Sequence, residues 1–448
     1  MLKKKGIDDM PIEILLKILS YLDVNFLLYT DTVQNVCTRW RQASLHLQLW
    51  KHLVYQPEET VSDVKIISVL KKVPMLRTLI FDKVKIGQDV LDSLIEYCTD
   101  IRKLDLSKNE ISSVFLSNLL YKCPKIEYLV IQNRCLANVN NARIIGQFSC
   151  LKTLIVKDES TSIIHLGPIA EGCPALQHLD IQHLSFYTSD LEKLLLAKYA
   201  QLQTLSLSYV SEERCIDLSE CRALHKLSVD CTYLITTEPE LQFLTPASHL
   251  TSLSLIDLRC IDVNSVKRLF EKKNMASLTE LTIDEYYSYE DELANVVAFN
   301  CPLLKKLHLT SCSNLTDNSL KNLGNLSKLE SVDFFDSRVT DRGIEYLTNC
   351  KHLKYLGLGC CRELRESGMK LMTNFTELEE LVLYGCDISG LRFDLIPEKL
   401  KHLNSLQVSS ESEYQDAEEQ LSFAMPHLVI EHPSSLLAHL YQIFRKYQ

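Results

Sequence analysis

The sequence predicts an α/β repeat solenoid of alternating strands and helices, preceded by a small separate helical unit. Three observations carry this reading. A nine-residue unit, typified by Ile101-Arg102-Lys103-Leu104-Asp105-Leu106-Ser107-Lys108-Asn109, recurs along most of the chain. Its copies follow one another at intervals of 22 to 28 residues. Residues 7–55 do not follow that spacing and carry a helical pattern of their own.

The unit reads I-x-x-L-x-L-x-x-N. Leu104 and Leu106 are two apart, which suits one face of a short strand. A lone strand cannot bury that face, so it needs copies on either side. First apolar positions of the copies fall at Leu76, Ile101, Ile126, Leu151, Leu176, Leu202, Leu224, Leu250, Leu278, Leu304, Leu329, Leu353, Leu378, Leu403 and, weakly, Met425. A period of roughly 20–29 residues with L-x-x-L-x-L-x-x-N/C is the signature of leucine-rich repeats. The 22- and 28-residue intervals fit a trimmed and an extended loop.

Within a repeat the strand gives way to a turn, a helical segment and a corner. Three residues before the first apolar position stands Cys98, Cys123, Cys173, Cys221, Cys301 or Cys350, with Pro74, Pro124, Pro174 and Pro302 at the same corner. Proline stops a helix, and a small apolar thiol packs well in a tight corner. Eight residues after the first apolar position comes Asn109, Cys312, Cys361 or Cys386. A buried Asn or Cys there can bond turn backbone that otherwise lacks partners. Thr316-Asp317 and Thr340-Asp341 are good helix N-cap pairs.

Over roughly Pro74 to Ile430 the chain resembles the cysteine-containing subfamily of leucine-rich repeats, about 14–15 of them (residues 74–430). The resemblance implies a curved solenoid with a parallel sheet on the concave side and helices outside.

Composition agrees with one long soluble domain. Hydrophobic content is 46% and charged content 24%. The net charge of −10 argues against a nucleic-acid partner. No run of about 18 apolar residues suggests a membrane span, and the start Met1-Leu2-Lys3-Lys4-Lys5-Gly6 does not read as a secretory signal. Of the 16 cysteines most sit at repeat-phased corners, which with the missing signal favours buried free thiols in a reducing compartment, cytoplasmic, nuclear or both.

Taken in order, Met1–Gly6 reads as a mobile tail. Asp8-Asp9 then precede Met10-Pro11, and apolar residues at 14, 15, 18, 19 and 22 predict a helix with one apolar face. A second helical stretch runs from Phe26 to about Val36. A third holds Trp40, Leu45, Leu47, Leu49 and Trp50, so both tryptophans lie in this unit. So short a unit makes a marginal core and gains by burying surface elsewhere.

Its motifs are Met10-Pro11-x-Glu13, Ile18-Leu19-Ser20-Tyr21-Leu22-Asp23, Val36-Cys37-Thr38-Arg39-Trp40 and Leu49-Trp50. In this order and spacing residues 7–55 resemble an F-box. Leu19 stands where phenylalanine is common, Met10 where leucine is common, and the segment between Leu28 and Val36 is longer than usual. That extra length would reshape one edge of the partner surface. The resemblance implies a surface for the Skp adaptor made by Pro11, Ile14, Leu15, Ile18, Leu19, Leu22, Val36, Cys37, Trp40 and Trp50. The bland reading is that these residues are only the core of a helical cap.

Gln56-Pro57-Glu58-Glu59-Thr60 reads as a short linker, and Val61–Val73 as the helix of a truncated first repeat (residues 56–73 together) that docks the unit rigidly. Asp284–Glu292 is an acidic, aromatic loop. Ser409–Gln420 is polar and acidic, expected exposed and mobile. The amphipathic stretch Leu436–Phe444, within residues 431–448, serves as a helical cap.

No catalytic motif is found. There is no C-x-x-C, H-E-x-x-H, G-x-S-x-G, P-loop or G-x-G-x-x-G, and glycine is scarce at 12. No metal or cofactor is expected. For cargo, residues flanking the inward leucines point out of the sheet. His308, Asp333, Phe335, Tyr355 and Tyr384 are the candidates, with the three aromatics exposed beside Gly357 and Gly359 as an aromatic-lined dip.

Together the resemblances imply the non-catalytic, substrate-recruiting subunit of a Skp–cullin–F-box ubiquitin ligase. The F-box would bind the Skp adaptor, and through it cullin and RING subunits, while the repeats hold a target protein. The alternative is a repeat scaffold with a structural helical cap that works without ubiquitin.

Overall fold

The structure is a computed structural model. It describes residues 10–22, 27, 33, 36–44, 46–157, 162–208, 218, 220–231, 249–259, 261–271, 275–286, 291–409 and 415–433. The expected N-terminal tail, most of the expected Phe26–Val36 helix, the centre of the acidic aromatic loop and the amphipathic C-terminal stretch lie outside these residues. The chain forms two compact units, Met1–Leu207 and Ser208–Gln448. The division falls in the 22-residue interval between Leu202 and Leu224.

The first unit opens with helices α1 (Ile12–Leu19), α2 (Thr38–Ser44) and α3 (Leu47–Trp50). Seven parallel strands follow among the described residues: Val54–Tyr55, Thr78–Ile80, Lys103–Asp105, Tyr128–Gln132, Thr153–Lys157, His178–Ile181 and Thr204–Ser208. Each pairs with the next repeat's strand at the same register, as in Thr78↔Lys103↔Tyr128. Helices such as Asp63–Lys72, Gln88–Tyr97 and Ser113–Lys122 connect them. Parallel neighbours require such a crossover. The first strand lies within the stretch assigned from sequence to the helical unit, and Val54↔Thr78 stitches that unit to the sheet. Tyr55 there is fully buried. A second, two-stranded sheet, Ile163–Ile164 with Ser185–Phe186, was not foreseen.

Among the described residues the second unit carries nine parallel strands in the same manner, from Lys226–Asp230 to Val429–Glu431. Residues 415–424 form a helix; its first six residues, expected exposed and mobile, are exposed or half-buried but helical, and the buried Leu421 lies just beyond them. Among the described residues no helix is long and apolar enough to cross a membrane.

The corners explain the cysteines. The Cys123 thiol donates to the carbonyl of Cys98 in the preceding repeat, 3.2 Å away, and Cys173 to Ile145 at 3.3 Å. On the other corner Cys361 donates to Phe334 and Cys386 to Leu358. Asn109 does the same with its amide: Oδ1 accepts from Ile86 N–H and Nδ2 donates to Val84 O. Burial pushes the Cys123, Cys173 and Cys361 thiols up to about 12. Such thiols hold almost no thiolate at neutral pH and are poor nucleophiles.

Helix starts in the second unit are tied by carboxylates. Asp291 accepts from the N–H and hydroxyl of Thr316 in the next repeat, at 3.1 and 2.6 Å. Asp317 holds Thr340 in the same way, and Asp341 holds the N–H of Arg365. Burial pushes the Asp291 carboxyl up, but hydrogen bonds from Ser319 and Thr316 outweigh it and hold it below the usual range. An acid depressed by folding stabilises the folded state above its ordinary pKa, and that contribution is lost as the pH falls through the depressed value. Asp291→Ala should therefore lower the melting temperature at neutral pH, with the gap to wild type closing well below about pH 4. A gap unchanged in acid would show that Asp291 acts through packing instead.

Candidate functional site

The F-box-like unit has two apolar stripes on one helix. In α1, Leu15 and Leu19 are four residues apart and turn inward, 1% and 0% exposed. They lie against α2 and α3. Ala43, Leu27, Val33 and Leu49 join them in the core, with Trp50 fully buried and its Nε1 donating to Ser44 O at 3.0 Å. The Arg39 guanidinium donates to the Met10 carbonyl, which ties α2 to the start of α1.

The second stripe faces out. Ile14 is 51% exposed, Ile18 38% and Tyr21 76%. Pro11, at the N-cap of α1, and Val36 are exposed as well, while Leu22, Cys37 and Trp40 are half-buried. The partner surface expected from the sequence thus divides. Pro11, Ile14, Ile18 and Val36 can meet a partner, whereas Leu15, Leu19 and Trp50 are spent on the unit's own core. Tyr21 was missed, although its i, i+4, i+7 spacing from Ile14 and Ile18 marks the same helix face.

The repeat candidates are brought together on one sheet face in the second unit. His308 Nε2 and Ser331 Oγ are 2.9 Å apart, and the His308 ring centroid is 5.9 Å from that of Tyr355. Tyr355 O–H donates to Asp333 Oδ2 at 3.1 Å, and Asp333 Oδ1 accepts from Phe335 N–H at 3.0 Å. Tyr355 and Tyr384 are half-buried. Phe335 is not exposed as expected, at 7%, and Asp333 is buried at 2%. The reason lies one strand over. A Cβ on Gly359 would sit 2.8 Å from the Phe335 ring, and one on Gly357 2.6 Å from the Asp333 carboxyl. The two side chains lean across the glycines and fill the expected dip.

Among the described residues no group of three or more His, Cys, Asp or Glu could hold a metal ion.

Comparison with known proteins agrees with both halves. An F-box-like family model matches residues 7–56, and a leucine-rich-repeat model matches residues 97–114. A chain of the yeast Rad7–Elc1 complex is similar in structure at 16% identity, over 82% of this chain and 96% of that one, with a TM-score of 0.51. An internalin from Listeria monocytogenes matches 85% of this chain and 98% of its own at 16% identity and a TM-score of 0.45. These likenesses are of fold. The chain thus carries an F-box-like module at its front and leucine-rich repeats behind it, two modules of protein interaction.

Proposed function

We propose that this chain is the substrate-recognition adaptor of a Skp–cullin–F-box ubiquitin ligase. The observation that carries the proposal is the exposed stripe of Ile14, Ile18 and Tyr21, with Val36, on a module that matches the F-box. Its inner stripe already fills the core, so the outer one has no work inside the module. Rimmed apolar patches of this kind mark interaction sites. A structural neighbour solved as a complex, Rad7 with Elc1, fits an adaptor partner. Cullin and RING subunits would join through the Skp adaptor, and the repeats would hold the target.

In this reading catalysis is proximity. The assembly raises the effective concentration of a target lysine near a ubiquitin-charged enzyme. The chain supplies no nucleophile, in keeping with thiols pushed up to about 12 by burial. The complex would work in the cytoplasm, the nucleus or both, where thiols stay reduced.

The test is co-purification of the full chain with the Skp adaptor. Ile14→Ala with Ile18→Ala should weaken the complex roughly 30-fold, as for two moderate anchors, without lowering the melting temperature. Wild-type chain that is folded yet does not bind the adaptor would overturn the proposal and leave a ubiquitin-independent scaffold.

A further inference from the structure

We infer that residues 436–444 of this chain dock on the outer edge of the strand Val429–Glu431 and seal the core of its repeat. The contact lies in the second unit and is independent of what the repeats hold.

The core is open at this strand. Among the described residues no strand pairs with its outer edge. Ile430 stands abreast of Leu406, which stands abreast of Leu381. Both leucines are 0% exposed, whereas Ile430 is half-buried and Val429 beside it is 54% exposed. At the first strand, by contrast, the inward residue Tyr55 is fully buried. The helix Gln415–Ala424 does not close the gap. It packs against Phe393–Leu395 and Ile396–Lys399 of the preceding repeat, and so continues the row of crossover helices. A repeat array needs a cover over each terminal core, and an open strand edge invites pairing with other chains.

Three observations point to residues 436–444 as the cover. The first is reach. Ser434 and Ser435 follow Pro433 directly and bridge about 7 Å to Leu436. A helix of nine residues is about 13 Å long, against about 10 Å for a strand of three. The second is pattern. At helical spacing Leu436, Leu437, Leu440, Tyr441 and Phe444 fall on one face, with Ala438, His439 and Gln442 opposite. The third is charge. Residues 415–433 hold Asp416, Glu418, Glu419 and Glu431 and no lysine or arginine. Residues 434–448 hold Arg445 and Lys446 and no acid. A second copy offering the same edge would instead set these acids against their own kind.

Hydrogen exchange of the full chain, read by mass spectrometry, tests the contact from one side. Leu440→Asp with Phe444→Asp should speed exchange in residues 425–433 about tenfold and leave residues 353–360 unchanged. Ala438→Asp with Gln442→Asp puts the same charge on the opposite face and should change neither. Trypsin tests it from the other side. Ile430→Asp in the full chain should speed cleavage after Arg445 and Lys446 about tenfold. Unchanged exchange with Leu440→Asp and Phe444→Asp, an equal change with Ala438→Asp and Gln442→Asp, or cleavage indifferent to Ile430→Asp would each overturn the inference. So would a wild-type dimer in sedimentation that Val429→Lys turns into a monomer, which would put a second copy on the edge.

Discussion

Trp50→Ala should destabilise the F-box-like module by about 4 kcal/mol, the range for deleting a large aromatic side chain from a packed core. Trp50 is fully buried and its indole N–H satisfies the Ser44 carbonyl. Its removal leaves both a cavity and an unpaired acceptor. A module of about 50 residues holds little stability in reserve, so this loss should unfold it while the repeats persist. Denaturant unfolding followed by the fluorescence of Trp40, the other of the chain's 2 tryptophans, would report the change. If Trp50 instead belonged to the partner surface, stability would stay put and adaptor binding would fall.

Gly172→Ala should cost about 3 kcal/mol, at the upper end for overpacking. A Cβ there would lie 2.0 Å from the Gly146 carbonyl oxygen. Both atoms belong to backbone that is already committed. Gly146 ends the helix Val139–Gly146, and its carbonyl accepts the Cys173 N–H at 2.6 Å. No rotamer change can relieve such a clash; the two helices Val139–Gly146 and Gly167–Glu171 must separate. Urea unfolding read by circular dichroism would show a lower midpoint, and an unchanged midpoint would mean that the corner yields cheaply.

What the sequence shows depends on whether one residue or its neighbour decides the outcome. Leu104 and its counterparts Leu79 and Leu129 were legible as core because every repeat repeats the pattern, and all three are fully buried. Asn109 was legible for the same reason: a turn at that offset needs donors and acceptors in every repeat. Phe335 was not, because its burial is decided by Gly359, in a different repeat. The division of α1 was hidden for another reason. Ile14 and Leu15 are both apolar and adjacent, so periodicity merges their stripes into one wide face, and only the position of α2 and α3 separates inner from outer. The strand Val54–Tyr55 has two residues, too few to show alternation.

The carboxylate ties of the second unit have a direction. Asp291 serves Thr316, Asp317 serves Thr340 and Asp341 serves Arg365, each acid reaching forward to the helix start that follows it. Thr316 and Thr340 cap their own helices by accepting from Asn318 and Arg342 N–H, but each capping residue is in turn held by the acid of the repeat before. A chain shortened from the back keeps every tie that remains in use, whereas one shortened from the front leaves the first residue of its new leading helix without the acid that held it. The array from Asp291 to Arg365 is therefore polar in its failure: damage at any tie is handed toward the C-terminus and not back.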